Sequence, residues 1–236
     1  MSGVRRLSGH DGEALGHVLW LGGGSGGGKT TVARELAARH GLVLYQLEPL
    51  WRFASRSNAS SHPLLHAFLA MDMDERWVDR SPEVMAATFH AFQGECFELV
   101  LEDLRALPAD RPVLVEGFAL LPRLVAPLLS RRTQAVWLLP TPEFRRQAFE
   151  GRGSTWTIPA QTSDPDRALA NLLERDRLFT EKLRSEAGRL DLETIEVDGA
   201  EDAGEVARRV ARTLGLANAP TADLADPQSA PPTLTS

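Results

Sequence analysis

An α/β fold with a central parallel sheet of about five strands, arranged in three layers with helices on both faces, is the architecture this sequence predicts. Three observations carry the prediction. Short, continuously apolar runs recur between turn residues, segments with helical spacing separate them, and a glycine-dense hinge joins the first run to the first helical segment. Continuous apolar runs suit strands buried on both faces of a sheet, and strands alternating with helices imply parallel pairing.

The strand candidates are HVLWL (17–21), LVLYQ (42–46), PVLVEG (112–117), QAVWLLP (134–140) and TIEVDG (194–199). TTVARELAARH follows the hinge as a helix, with Gly41 as its stop, and EDAGEVARRVARTLG closes the series with Gly215 in the equivalent place. The longest helical candidate spans 81–107. Ser81 is its N-cap, Pro82 occupies the first helical position, and Met85, Phe89, Phe92, Cys96 and Leu99 follow at intervals of three and four. That stripe reads as core packing.

Composition narrows the function. With 236 residues, 43% hydrophobic and 25% charged, the chain has room for one main domain. A net charge of -6 argues against duplex nucleic acid or an anionic membrane as the main partner, since both favour broad basic surfaces. The single cysteine, Cys96, forms no intramolecular disulfide, which fits a reducing cytoplasm. Arg5 and Arg6 precede no apolar leader, and no run approaches the length of a membrane span. Residues 1–15 read as a flexible start, 16–216 as the folded domain, and the proline-containing 217–236 as a disordered tail.

The hinge itself is informative. Six glycines within seven residues would weaken a fold unless the backbone must approach something that side chains would obstruct. Gly23, Gly28, Lys29 and Thr30 fit the phosphate-binding pattern G-x-x-x-x-G-K-[ST] as GGSGGGKT. Its amides can turn inward around phosphate oxygens, the following helix points its positive end at them, Lys29 adds a mobile cation, and Thr30 offers a hydroxyl to Mg²⁺. Gly22, Gly24 and Gly27 also read as G-x-G-x-x-G, with Glu48 about twenty residues on, as a dinucleotide fold requires. That pattern has no use for Lys-Thr at the helix start.

With strand, loop and KTT in place, residues 17–216 resemble the P-loop NTPases, and further positions resemble their nucleoside and nucleotide kinase-like branch. Guanine-reading N-K-x-D and transporter-type L-S-G-G-Q are absent from the sequence. The resemblance implies that Gly23, Gly24, Ser25, Gly26, Gly27, Gly28, Lys29, Thr30 and Thr31 bind ATP, with Thr30 on Mg²⁺ and Glu116 orienting the metal's water. It implies a helical acceptor-side insertion at 48–107, in which Glu48 is a candidate base where Asp is usual. The insertion also offers Trp51, Arg52, Arg56, Asp72, Asp74, Arg76, Trp77 and Arg80 for acceptor recognition. A lid at 151–167 would follow, with Arg152 foremost among Arg145, Arg146, Arg167 and Arg175 for neutralising the migrating phosphoryl charge. Ala148 stands where relatives commonly carry the first lid arginine.

The function implied is transfer of the γ-phosphoryl group of ATP to a nucleoside, nucleotide or other hydroxylated small molecule. A nucleotide-binding switch without such an acceptor is the alternative, and a dinucleotide-dependent oxidoreductase the third reading. His62 and His66, four apart, lack the further ligands of a metal site.

Overall fold

The computed structural model describes residues 15–47, 50–151 and 158–216. Five strands, β1 (Val18–Gly23), β2 (Val43–Gln46), β3 (Val113–Glu116), β4 (Ala135–Pro140) and β5 (Thr194–Val197), form one sheet in the order β2-β3-β1-β4-β5. Every pairing is parallel. The five predicted strands are therefore present, each within one or two residues of its expected bounds.

The alternation of side chains along each strand builds two cores. On one face, Leu19, Leu21, Leu114, Val136 and Leu138 pack with Val32 and Leu36 of α1 (Lys29–His40). Val206 and Val210 of a C-terminal helix, Ala203–Thr213, join them. On the other, Val18, Trp20, Val113, Val115 and Trp137 meet the crossover between β2 and β3 and a 25-residue helix, Pro165–Arg189. Helix, sheet and helix make the three layers. β5 is an edge strand, and only Ile195 and Val197 are buried there while Thr194 and Glu196 face outward.

The crossover carries α2 (Pro63–Ala70), α3 (Met73–Trp77), α4 (Pro82–Thr88), α5 (His90–Gln93) and α6 (Phe97–Ala106). The continuous helix expected over 81–107 is thus three helices. Phe89 is extended at the first break. Gly94 (φ 87) and Cys96 (φ 70) are left-handed at the second. A Cβ on Gly94 would come within 2.6 Å of Leu124, so tertiary packing overrides local helix preference there. The apolar stripe still packs as core: Met85, Phe92, Cys96 and Leu99 are buried. Beyond β3 come α7 (Pro122–Val125), α8 (Pro142–Glu150), α9 (Pro165–Arg189) and α10 (Ala203–Thr213).

Among the described residues, no helix is long and apolar enough to cross a membrane. The terminal segments 1–14 and 217–236 lie outside the described residues.

Candidate functional site

The carboxyl edge of the sheet gathers the site. β1 ends at Gly23, whose φ of 133° and close approach to the Leu138 backbone leave no room for a side chain. The Gly24 amide donates to the Leu138 carbonyl at 2.9 Å, which pins the start of the loop to β4. A Cβ on Gly24 would meet Thr180 Oγ1 at 2.5 Å, and one on Gly26 would meet Arg145 Cδ at 2.7 Å. α8 and α9 therefore press directly on the loop.

α1 begins at Lys29 with Gly28 as its N-cap, left-handed at φ 78° and without a side-chain cap. No acidic residue occupies the first turn. The amides of Ser25, Gly26, Gly28, Lys29, Thr30 and Thr31 donate to no backbone carbonyl among the described residues. A helix start with free amides and no compensating acid is a ready anion site. A Cβ on Gly28 would project into open space, so its left-handed backbone, rather than crowding, calls for glycine. Lys29 is buried, and its ammonium arches back to donate to the Gly24 carbonyl at 2.8 Å.

Glu116 closes β3 level with Leu21 of β1 and Gln46 of β2. This parallel register puts Gln46 and Glu116 on the same face, and Gln46 Nε2 donates to Glu116 Oε1 at 2.9 Å. Thr30 Oγ1 donates to the same oxygen at 2.9 Å. Glu116 is 3% exposed, and its Oε2 is buried with no hydrogen-bond donor among the described residues. A buried carboxylate oxygen without a donor is costly, so it marks a place where a cation or water would be stabilised. A Thr30 hydroxyl that gives its hydrogen to Glu116 turns its lone pairs elsewhere, which suits a hard cation. The donor set thus fits Mg²⁺ with an anionic partner.

Of the arginines expected near the phosphates, Arg145 and Arg175 are buried and share Asp176. Arg145 donates to Asp176 Oδ2 at 3.0 and 2.7 Å, and Arg175 to Oδ1 at 3.1 and 2.6 Å. Burial pushes the Asp176 carboxyl up, but Arg175 and Arg145 outweigh it and hold it below the usual carboxylate range. Arg145 reaches the loop at Gly26, whereas Arg146 and Arg167 are exposed on their helices. Arg177 pairs with Glu174 rather than with Glu181, the partner its spacing suggests. A cleft of about 570 Å³ between α8 and α9 has Arg145, Asp176 and Thr180 in its walls and so adjoins the loop. Glu48 and Arg152 lie outside the described residues.

The insertion residues divide. Arg56 pairs with Asp103 and Glu102, Asp72 caps α3, and Asp74 accepts from the Ser163 amide, all of which are structural roles. Arg76 donates to the Phe68 and Leu69 carbonyls. Trp77 is buried beneath the Arg175 guanidinium, whose carbon lies 4.9 Å from the ring centroid. The side chains of Trp51 and Arg52 lie outside what is described. His62 bonds to Glu98 and His66 to Ser57, and no group of three metal-ligating side chains occurs among the described residues. Gln46, His90 and Asp176 belong to the site's surroundings but carry no sequence motif. Only the adjacency of Arg175 and Asp176 hinted at a pair.

A scan against protein-family models and a search of curated proteins find no match to this chain.

Proposed function

We propose that the protein is an ATP-dependent small-molecule kinase. The carrying observation is the pairing of an uncapped α1 start under the glycine loop with the Thr30–Glu116 hydrogen bond and the unpartnered Glu116 Oε2. Anion-binding amides and a cation-seeking carboxylate side by side suit a metal-complexed polyphosphate. The strand order supports the same reading. β3 separates β2 from β1, unlike the dinucleotide fold's 3-2-1-4-5-6 order, in which the second strand lies beside the first.

In this reading Mg·ATP supplies the phosphoryl group and a leaving group of lowered charge. The amides of Ser25, Gly26, Gly28, Lys29, Thr30 and Thr31 orient its phosphates, and Lys29 leaves the Gly24 carbonyl to bind the β- and γ-oxygens. Thr30 would hold the metal, and Glu116 would orient the metal's water. Arg145, fixed against Gly26 by Asp176, neutralises charge on the migrating group, with Arg152 as a second cation. An acceptor hydroxyl attacks the γ-phosphorus, the bond to the β,γ-bridging oxygen breaks, and Glu48, two residues beyond β2, takes the hydroxyl proton. Catalysis is then positioning and electrostatics.

The test is an ADP-release screen with Mg·ATP against nucleosides, nucleoside monophosphates, sugars and other hydroxylated metabolites. Acceptor-dependent release that disappears in Lys29→Ala is expected. Nucleotide binding without transfer to any acceptor would replace the kinase by a nucleotide-binding switch.

A further inference from the structure

Asp176 connects two places. On one side it holds Arg145 at the glycine loop, and on the other it holds Arg175 above the rings of Trp77, Phe89 and Phe92, at 4.9, 5.1 and 5.3 Å. Arg175 is 7% exposed, and the carboxylate it uses is shared with Arg145. Arg175 therefore has only part of one carboxylate's charge, and buried charge is costly unless it is compensated.

A second arginine deepens the imbalance. Arg80 donates to the Glu75 and Arg76 carbonyls and to Thr88 Oγ1, all neutral oxygens, and has no salt bridge among the described residues. The Glu75 carboxylate nearby is engaged at the start of α3, accepting from the Asp72 amide. Burial, and after it the neighbouring Arg175, push the Arg80 pKa down against a smaller opposing pull from the Glu75 carboxylate, so the two cations sense each other. Asn171, one turn before Arg175 on α9, fixes this approach by donating to the Trp77, Val78 and Arg80 carbonyls.

His90 adds an independent signal. It is 4% exposed, and its Nδ1 is buried without a hydrogen-bond partner among the described residues. Its ring lies 4.5 Å from Phe89, the same ring that Arg175 covers, and 5.5 Å from Phe68. Burial, with Arg175 beside it, pushes its pKa down to about 4, so the imidazole is neutral at pH 7. A neutral imidazole keeps an N–H donor, and here it lies among half-buried phenylalanines beside an under-compensated guanidinium.

We infer that Arg175, Arg80 and His90 form the binding site for an oxyanion carried by the phosphoryl acceptor, of phosphate or carboxylate type, with the half-buried Phe68 and Phe89 rings receiving the acceptor's apolar part. The word acceptor rests on the kinase reading; the anion site itself does not. One carboxylate, Asp176, then fixes the spacing between the two substrates, because it orients the guanidinium at each. Uncharged sugars and nucleosides leave this site uncompensated and are poor acceptors.

The test titrates inorganic phosphate and, separately, malonate into the full chain saturated with Mg·AMP-PNP, following the histidine ring resonances by NMR and heats by calorimetry. Saturable movement of the His90 resonances is expected, with at least tenfold weaker anion binding in Arg175→Gln and at least threefold in the half-exposed Arg80→Gln. Mg·AMP-PNP affinity should stay within about threefold in Arg80→Gln. Preference for phosphate identifies a phosphorylated acceptor, and preference for malonate a carboxylated one; either supports the site. Resonances unmoved by both anions, or equal anion binding by wild type and both variants, overturns it. Anion binding at His90 in a chain that binds no Mg·AMP-PNP would sink the kinase reading while leaving this site standing.

Discussion

Thr30 donates its hydroxyl hydrogen to Glu116 Oε1 at 2.9 Å, across 86 residues of chain. The bond joins the first turn of α1 to the end of β3, and it leaves Glu116 Oε2 buried and facing no donor among the described residues. Glu116→Gln should keep the fold, because glutamine can still accept from Thr30. It should also raise the Mg²⁺ concentration needed for ATP binding by roughly 10- to 100-fold, the usual cost of losing a group that orients a metal's ligands. A Mg²⁺ titration of nucleotide binding by calorimetry reads this directly, and an unchanged midpoint would count against a metal at Thr30.

Gly28 and Gly215 have nearly the same left-handed backbone, φ 78° and 72°, and a Cβ on either meets nothing within 4 Å. Alanine at each should therefore destabilise by about 1 kcal/mol through backbone strain. Only Gly28→Ala should also abolish nucleotide binding, because its methyl group enters the space above the loop amides. Equal nucleotide binding by the two variants would mean that this space holds no phosphate.

Asp176→Asn should be among the most destabilising single changes, by roughly 3–5 kcal/mol in urea unfolding, since it strips the carboxylate shared by two buried guanidinium groups. Glu174→Gln, which breaks the exposed pair with Arg177, should cost less than about 1 kcal/mol. The folded-state pKa of Asp176 is depressed, so its contribution is fully present above the unfolded carboxyl value and disappears only as pH falls through the lower folded value. The gap between wild type and Asp176→Asn should accordingly be constant from pH 8 to about 5. A gap that closes near neutrality would contradict the pairing.

His90 also loses its contribution on acidification, but in a window nearer neutrality. Its folded pKa of about 4 lies below the unfolded value of 6.5, so on acidification the unfolded chain takes up the proton first. Wild type should lose roughly 3 kcal/mol between pH 7 and 4 that His90→Phe does not lose. Thermal or urea unfolding in phosphate-free buffer compares the two. Parallel pH profiles would show that His90 is not buried neutral.

The fold was legible in the sequence because a parallel sheet buries both faces of its strands. Runs such as VLWL and AVWLL can then be read without periodicity, and Gly41 and Gly215 mark their helix ends by the backbone they require. The loop was legible because every position in GGSGGGKT is constrained by backbone approach or charge. The split of 81–107 was hidden, since Phe89 and Cys96 keep helical spacing while Leu124, far along the chain, determines where Gly94 must turn. Asp176 and His90 were hidden for a related reason. Their roles come from side chains brought together by α9 and the insertion, and neither carries a local motif. Glu116 stood between these cases: its place at a strand end was visible, but the shared hydrogen bonds to Thr30 and Gln46 depend on strand register.

The central claim is that the start of α1 holds the phosphates of a nucleotide, and calorimetric binding of Mg·ATP to wild type and Lys29→Ala tests it most directly. Saturable binding by wild type, weakened at least tenfold in a Lys29→Ala chain of unchanged fold, is the predicted result. Equal binding by the two chains, or none by wild type, would contradict it.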